Sequence, residues 1–294
     1  MKIAGHTMGT PELTVGEAAE LFARADMDAI EIIYQDGYKC AIHSDTTAEE
    51  IHDLKRKLNE LNIATSCIVS YASDYNQFDT ERKRKACEEC EKCIYLANQL
   101  GAGYVRIYGG TFLEGDTEFE EKRKILVDTM RVLSDKAERY GVSLVLENHF
   151  NTMTTGPGMT YDIVSEIDKK NVGILYDQAN ISFLSGENYK ECIKIQKSKI
   201  FYVHVKDFKF KRMGMKFSAA SVSHVDEEAR AVVTQIVGEG VLPWPEIIKE
   251  LYISGYDGYL SLEYERRWHP QDIPEASVGM VKSARYLREI IGKL

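Results

Sequence analysis

Residues 142–150 read VSLVLENHF, and this stretch decides the fold. Leu144, Val145 and Leu146 are apolar at consecutive positions, so both faces of an extended segment are destined for burial, as in a parallel strand covered on each side. The run then turns polar at once, with Glu147, Asn148 and His149 in succession. A strand that is apolar along its length and polar at its C-terminal end belongs to a parallel α/β fold whose functional groups gather at one rim.

Outward from this segment the pattern repeats. Short β-branched runs occur at KIAGH (2–6), AIEII (29–33), IATSCIV (63–69), YVRIY (104–108), VSLVLE (142–147), VGILYD (172–177), IFYVHV (200–205) and GYLSLE (258–263). Between them, helical periodicity predicts helices at about 15–25, 46–60, 80–100, 117–139, 159–168, 187–196 and 244–254, with a last one at about 274–291. Thr46 offers a cap for EEIHDLKRKLNEL, and the glycines of QLGAG and ERYGV stop the third and fourth helices. Eight strand–helix units in 294 residues predict a (β/α)8 TIM barrel, one domain over 1–294. The competing fold is a doubly wound open sheet, but no GxGxxG follows the first strand and no P-loop occurs.

The longest irregular stretch, Asp207 to Gly240, separates the seventh strand from its helix; its length marks a functional loop with room for a short helix around 226–236. Its basic part, KFKRMGMK, reads as a solvated face ahead of an anion contact. A net charge of −9 and a pI near 5.4 argue against nucleic acid as a partner. No apolar run approaches the roughly 18 residues of a membrane helix, so a cytoplasmic protein without membrane contact is expected. The six cysteines read as free thiols. CEECEKC (87–93) lies inside a helical run with no fourth cysteine nearby, which favours helix packing over a metal cluster.

At the C-terminal ends of the predicted strands stand His6, Glu31, Tyr71, Tyr108, Glu147, Asp177, His204 and Glu263. Taken alone, Glu31 or His6 reads as a satisfied strand-end residue. Four acidic or imidazole groups on four successive strands are a different matter, because converging carboxylates repel unless a cation or protons neutralise them. Three carboxylates and one imidazole point to one divalent metal, Mn2+ first, with Mg2+ and Co2+ also suited to an oxygen-rich set. The bland alternative is a buried salt-bridge network with Lys206 or Arg106, which point less convincingly at the rim.

At this point the chain resembles the xylose isomerase-like TIM barrels, the sugar phosphate isomerase/epimerase superfamily that also holds ketose epimerases, inosose dehydratases and apurinic endonucleases. The resemblance runs through nearly the whole chain and is carried by VLENH (145–149), ILYDQAN (174–180), FYVHVKD (201–207), GEGVLPWPEIIKEL (238–251) and GYDGYLSLEYE (255–265). It implies that Glu147, Asp177, His204 and Glu263 bind one divalent metal. It also implies that Glu147 and Glu263 exchange a substrate proton through an enediolate, as in a sugar or sugar phosphate isomerase or epimerase. His149, two residues beyond Glu147, is a third catalytic candidate; a histidine near this glutamate acts as a base in related C-glycoside-cleaving enzymes. A lyase, of the C-glycoside deglycosidase or inosose dehydratase type, is therefore the alternative. His6, Tyr108, Asn180, Lys206, Asp207 and Trp268 are expected to touch a small carbohydrate substrate.

Two departures weaken the free-ketose epimerase assignment: Asn180 stands where a histidine is usual, and DFKFKR lacks the usual arginine after HVKD. Tyr108 and Asn180 also stand where apurinic endonucleases carry metal-binding histidines, which disfavours DNA repair. Analogy with relatives further suggests a homo-oligomer or association with a small accessory subunit.

Overall fold

The computed structural model describes residues 1–184, 188–211 and 230–294. Eight parallel strands close on themselves: β1 (Lys2–His6), β2 (Ala29–Tyr34), β4 (Ala64–Val69), β5 (Tyr104–Ile107), β6 (Ser143–Glu147), β7 (Val172–Asp177), β8 (Ile200–Val205) and β11 (Tyr259–Leu262). β1 pairs with both β2 and β11, which shuts the barrel. A two-residue strand, β3 (Ala41–Ile42), extends the sheet beyond β2. The barrel strands are apolar on both faces because one meets the helices, with Ile30, Ile32, Val105, Leu144, Leu146 and Ile174, and the other fills the interior, with Cys67, Val145, Leu175 and Tyr202, all fully buried.

Helices α1 (Val15–Arg24), α2 (Ala48–Glu60), α3 (Thr80–Leu100), α4 (Phe119–Arg139), α5 (Pro157–Ile167), α7 (Tyr189–Gln196), α8 (Trp244–Ile253) and α9 (Ala276–Ile291) form the outer layer. The cap of α2 is Thr47, not Thr46: its hydroxyl accepts the Glu50 amide while the Glu50 side chain returns to the Thr47 amide. Thr46 instead accepts the His43 amide one turn earlier. Cys90 and Cys93 are buried on the inner face of α3 and Cys87 is half-buried, the packing role expected of them.

Two local elements differ from expectation. A short helix, α6 (Gln178–Leu184), follows directly on β7. The stretch after β8 forms an antiparallel hairpin of β9 (Asp207–Phe210) and β10 (Val232–Gln235), so residues 232–235 are strand where a helix was expected. Residues 226–229, and most of the basic KFKRMGMK segment, lie outside the described residues. No helix among the described residues is long and apolar enough to cross a membrane.

Candidate active site

Strand register gathers the polar ends. Asp177 lies opposite His204 across β7 and β8, and the Glu263 amide donates to Val205 just past β11, at the same level. Glu147 completes a group of four, with one donor atom from each of Glu147, Asp177, His204 and Glu263 within 4.8 Å of the others. All four are buried. His204 Nδ1 faces Glu147 Oε1 at 3.4 Å, Glu263 Oε2 at 3.5 Å and Asp177 Oδ2 at 4.0 Å, and it has no hydrogen-bond partner. An unpartnered imidazole nitrogen amid three carboxylates is a donor set that fits a divalent cation.

The basic residues do enter this group, contrary to the sequence reading of Arg106 and Lys206. The Arg106 guanidinium donates from Nε to Glu147 Oε2 at 2.6 Å, with a second nitrogen on the same oxygen, while its Nη1 donates to the Ser70 carbonyl at 2.9 Å. The Tyr108 ring lies against its face, 3.8 Å from the guanidinium carbon. Lys206 Nζ donates to Glu263 Oε2 at 2.6 Å and lies 3.0 Å from Asp177 Oδ2 and 3.4 Å from Glu265 Oε1. Salt-bridge network and metal-ligand set are thus one structure. Burial pushes the Glu147 carboxyl up, but Arg106, together with His149 and the hydrogen bond to His204, outweighs this and brings it down to about 2. For Asp177 burial prevails over Lys206 and, with Glu263 and Glu147 nearby, lifts it to about 7.

His149 is placed by the loop that leaves β6. Its amide donates to the Thr154 carbonyl at 3.1 Å, its carbonyl accepts the Thr152 hydroxyl at 2.6 Å, and Thr154 Oγ1 donates to the Glu147 carbonyl at 2.6 Å. Asn151 makes the tight turn at φ 58°, a left-handed conformation that asparagine tolerates. The ring then meets the Phe150 carbonyl through Nδ1 at 2.8 Å. A carbonyl only accepts, so Nδ1 carries the proton and the lone pair lies on Nε2. Burial lowers the imidazole to about 4, keeping it neutral at ordinary pH.

A cavity of about 430 Å³ opens over these groups, lined by Arg106, Lys206, Glu263 and His149 below and by Tyr71, Tyr108, Phe150 and Trp268 on its walls. Met8, Glu265 and His269 also line it. Tyr108, Lys206 and Trp268 thus stand where a substrate would contact them. Asn180, on α6, is fully buried and donates to Glu147 Oε1 at 3.3 Å and to the Asn148 carbonyl at 2.9 Å, so it braces Glu147. Asn148 donates to Thr160 Oγ1 at 2.9 Å and holds the turn.

Two further expected substrate contacts, like Asn180, do not line the cavity. Asp207 accepts the amides of Phe208, Gly238, Gly240 and Leu242 at 2.9–3.2 Å, tying the GEGVL segment to the end of β8. A Cβ on Gly240 would overlap the Asp207 carboxylate, which accounts for the glycine there. His6 is fully buried and does not line the cavity; its Nδ1 accepts the Met8 amide at 3.0 Å. The arginines of EYERRWHP are also occupied: Arg266 pairs with Glu12, and Arg267 donates to Gln35 while stacking on Tyr38. Sequence reasoning weighed Arg106, in mid-strand, only as a partner in an alternative salt-bridge network, and took Glu31 for a simple strand-end residue.

The description "xylose isomerase-like TIM barrel" matches residues 19–290, and the chain belongs to this family. Among curated relatives it is 28% identical to an inosose dehydratase of Geobacillus thermodenitrificans over 176 residues, which are 59% of this chain and 56% of that protein. It is 25% identical to 3-dehydroshikimate dehydratase of Bacillus anthracis over 229 residues, 75% of this chain and 74% of that one. Among solved structures, that of the IOLI protein with a bound zinc atom superposes with a TM-score of 0.76 at 21% identity, covering 100% of this chain and 99% of the other.

Proposed function

We propose that this chain is a divalent-metal-dependent lyase that removes water from a polyol ketone built on a six-membered ring. The single observation that carries the lyase reading is the pinning of both rim glutamates by cations, Glu147 by Arg106 and Glu263 by Lys206. A two-sided proton exchange needs two carboxylates free to take up and return a proton. Among the lining groups His149 has its Nδ1–H on the Phe150 carbonyl, which leaves the lone pair of the neutral ring on Nε2 and makes a one-base reaction the better fit. The two dehydratase relatives support this reading, and the aromatic walls suit the C–H faces of a ring substrate.

Glu147, Asp177, His204 and Glu263 would hold the metal, with Mn2+ favoured by three oxygen donors and one nitrogen. The bound ion supplies Lewis-acid polarisation of the substrate carbonyl. His149 Nε2 takes the proton from the carbon next to that carbonyl. Lys206 gives a proton to the departing hydroxyl, so one C–H and one C–O bond break, a C=C bond forms and water leaves. Arg106 holds Glu147 ionised and in place.

The second reading is an isomerase or epimerase of sugars acting through the same proton abstraction, with Glu147 and Glu263 as the acid/base pair. The test is to incubate the Mn2+-loaded chain with inososes, 3-dehydroshikimate and ketoses, and to read products by mass spectrometry and by NMR in deuterated water. Loss of one water supports the lyase; a product of unchanged mass with solvent deuterium at carbon overturns it in favour of the isomerase or epimerase.

A further inference from the structure

Glu31 is a fully buried carboxylate at the rim that neither the four-residue set nor the cavity uses. Three donors converge on it. His204 Nε2 lies 3.1 Å from one oxygen, while the Ser261 hydroxyl and the Tyr202 hydroxyl, at 3.3 Å, bond the other. The Tyr202 phenol is itself fixed 2.8 Å from Ser66 Oγ. No lysine or arginine among the described residues pairs with Glu31, so three hydrogen bonds, one of them to the His204 ring, hold a charge that burial disfavours. A motif read from sequence gives no reason to keep it there.

The reason is visible in the ring of His204. Because Nε2 is directed at a carboxylate, the proton of the neutral ring stays on Nε2 and the lone pair lies on Nδ1. Nδ1 is the atom that faces Glu147, Asp177 and Glu263. We propose that Glu31 is a positioning residue for the metal centre, fixing the His204 ring in the one tautomer and orientation that offers Nδ1 to the ion. The proposal rests on the metal-binding reading given above.

A rival use of the same atoms is a second cation, since His6, Glu31 and His204 also bring donor atoms within 4.8 Å of one another. His6 speaks against it. Its Nδ1 already accepts the Met8 amide, so in the neutral ring Nε2 carries the proton and neither nitrogen has a lone pair to give. Glu31 therefore acts on His204 and not on an ion of its own, in the manner of the carboxylates that orient metal-bound histidines.

The test is Mn2+ affinity and stoichiometry of the full chain, measured by chelator competition for the wild type, Glu31→Gln and Glu31→Ala, with metal-free unfolding midpoints alongside. Glu31→Ala should bind Mn2+ about 10- to 100-fold more weakly, at one ion per chain. Glu31→Gln, which keeps the shape and an acceptor but not the charge, should fall in between; it also serves if the alanine variant does not fold. Affinities of folded variants within about twofold of wild type would overturn the proposal and leave the metal reading standing. Two ions per wild-type chain, one of them lost in Glu31→Ala, would overturn it in favour of the second site. A wild type that binds no divalent ion would overturn both.

Discussion

Glu147 and His149 lie two positions apart and face different tasks, because the strand ends between them. Glu147 still follows the pleat of β6 and points into the barrel, where Arg106 holds one oxygen and leaves the other among the ligands. His149 belongs to the loop and lines the cavity, with Nδ1 taken up by the Phe150 carbonyl. His149→Gln should lower kcat by about 10²- to 10⁴-fold while Mn2+ affinity stays near wild type, as read by steady-state kinetics and chelator competition. An unchanged kcat would remove His149 from the reaction. Arg106→Met should destabilise the metal-free protein by about 3–5 kcal/mol in urea unfolding, since it strands a buried carboxylate. The convergence of Glu147, Asp177, His204 and Glu263 was legible in sequence because all four sit at strand ends, which hydropathy marks. Arg106 was not, because in YVRIY nothing local says which face of the strand points into the barrel.

At the scale of elements, the loop from Glu147 to Thr154 behaves as one braced piece. Gly109, at the end of the neighbouring strand, accepts the Met153 amide at 2.9 Å, and a Cβ there would run into the Thr154 side chain. Gly109→Ala should therefore displace the loop and lower kcat about 10-fold or more with Mn2+ affinity little changed; equal kinetics would show that the loop is not what places His149. The eight barrel strands were readable because each carries its own apolar run between turn signals. The β9–β10 hairpin was not, because Val232–Gln235 becomes a strand only by pairing with a segment far behind it in sequence. The short α6 escaped for a related reason: QANISFL is too brief for a period to register, and the Asp177 carboxylate that accepts the Asn180 amide at 2.9 Å starts the turn.

For the whole molecule, chemistry and apolar packing occupy successive layers of the barrel. The four ligands, Arg106, Lys206 and the cavity share the C-terminal rim, whereas the interior layer below is filled by Cys67, Val145, Leu175 and Tyr202, with Tyr104 and Tyr259 packed against it. A cation that binds only the folded rim must stabilise the entire fold. Removing Mn2+ with a chelator should abolish turnover and reduce stability by about 2.7 kcal/mol relative to protein held at 100 times its dissociation constant, both restored on re-addition. A stability independent of Mn2+ would mean that the four groups do not bind it. The family could be read from motifs spread along the chain, but the proposed preference for lyase over isomerase rests on which oxygens the cations occupy, a matter of tertiary contact.

The Asp207 clamp has a kinetic consequence. Its four amide partners, at Phe208, Gly238, Gly240 and Leu242, lie at the end of a barrel strand and in a loop some thirty residues on, yet one carboxylate closes them together. The amides of Gly238, Gly240 and Leu242 should therefore exchange with solvent deuterium at the slow pace of β8, because they open only when the strand end opens. In Asp207→Ala they should exchange as an ordinary surface loop does. Adjacent residues would then divide the labour at this strand end, Lys206 serving the cavity and Asp207 joining two distant segments into one unit of local unfolding.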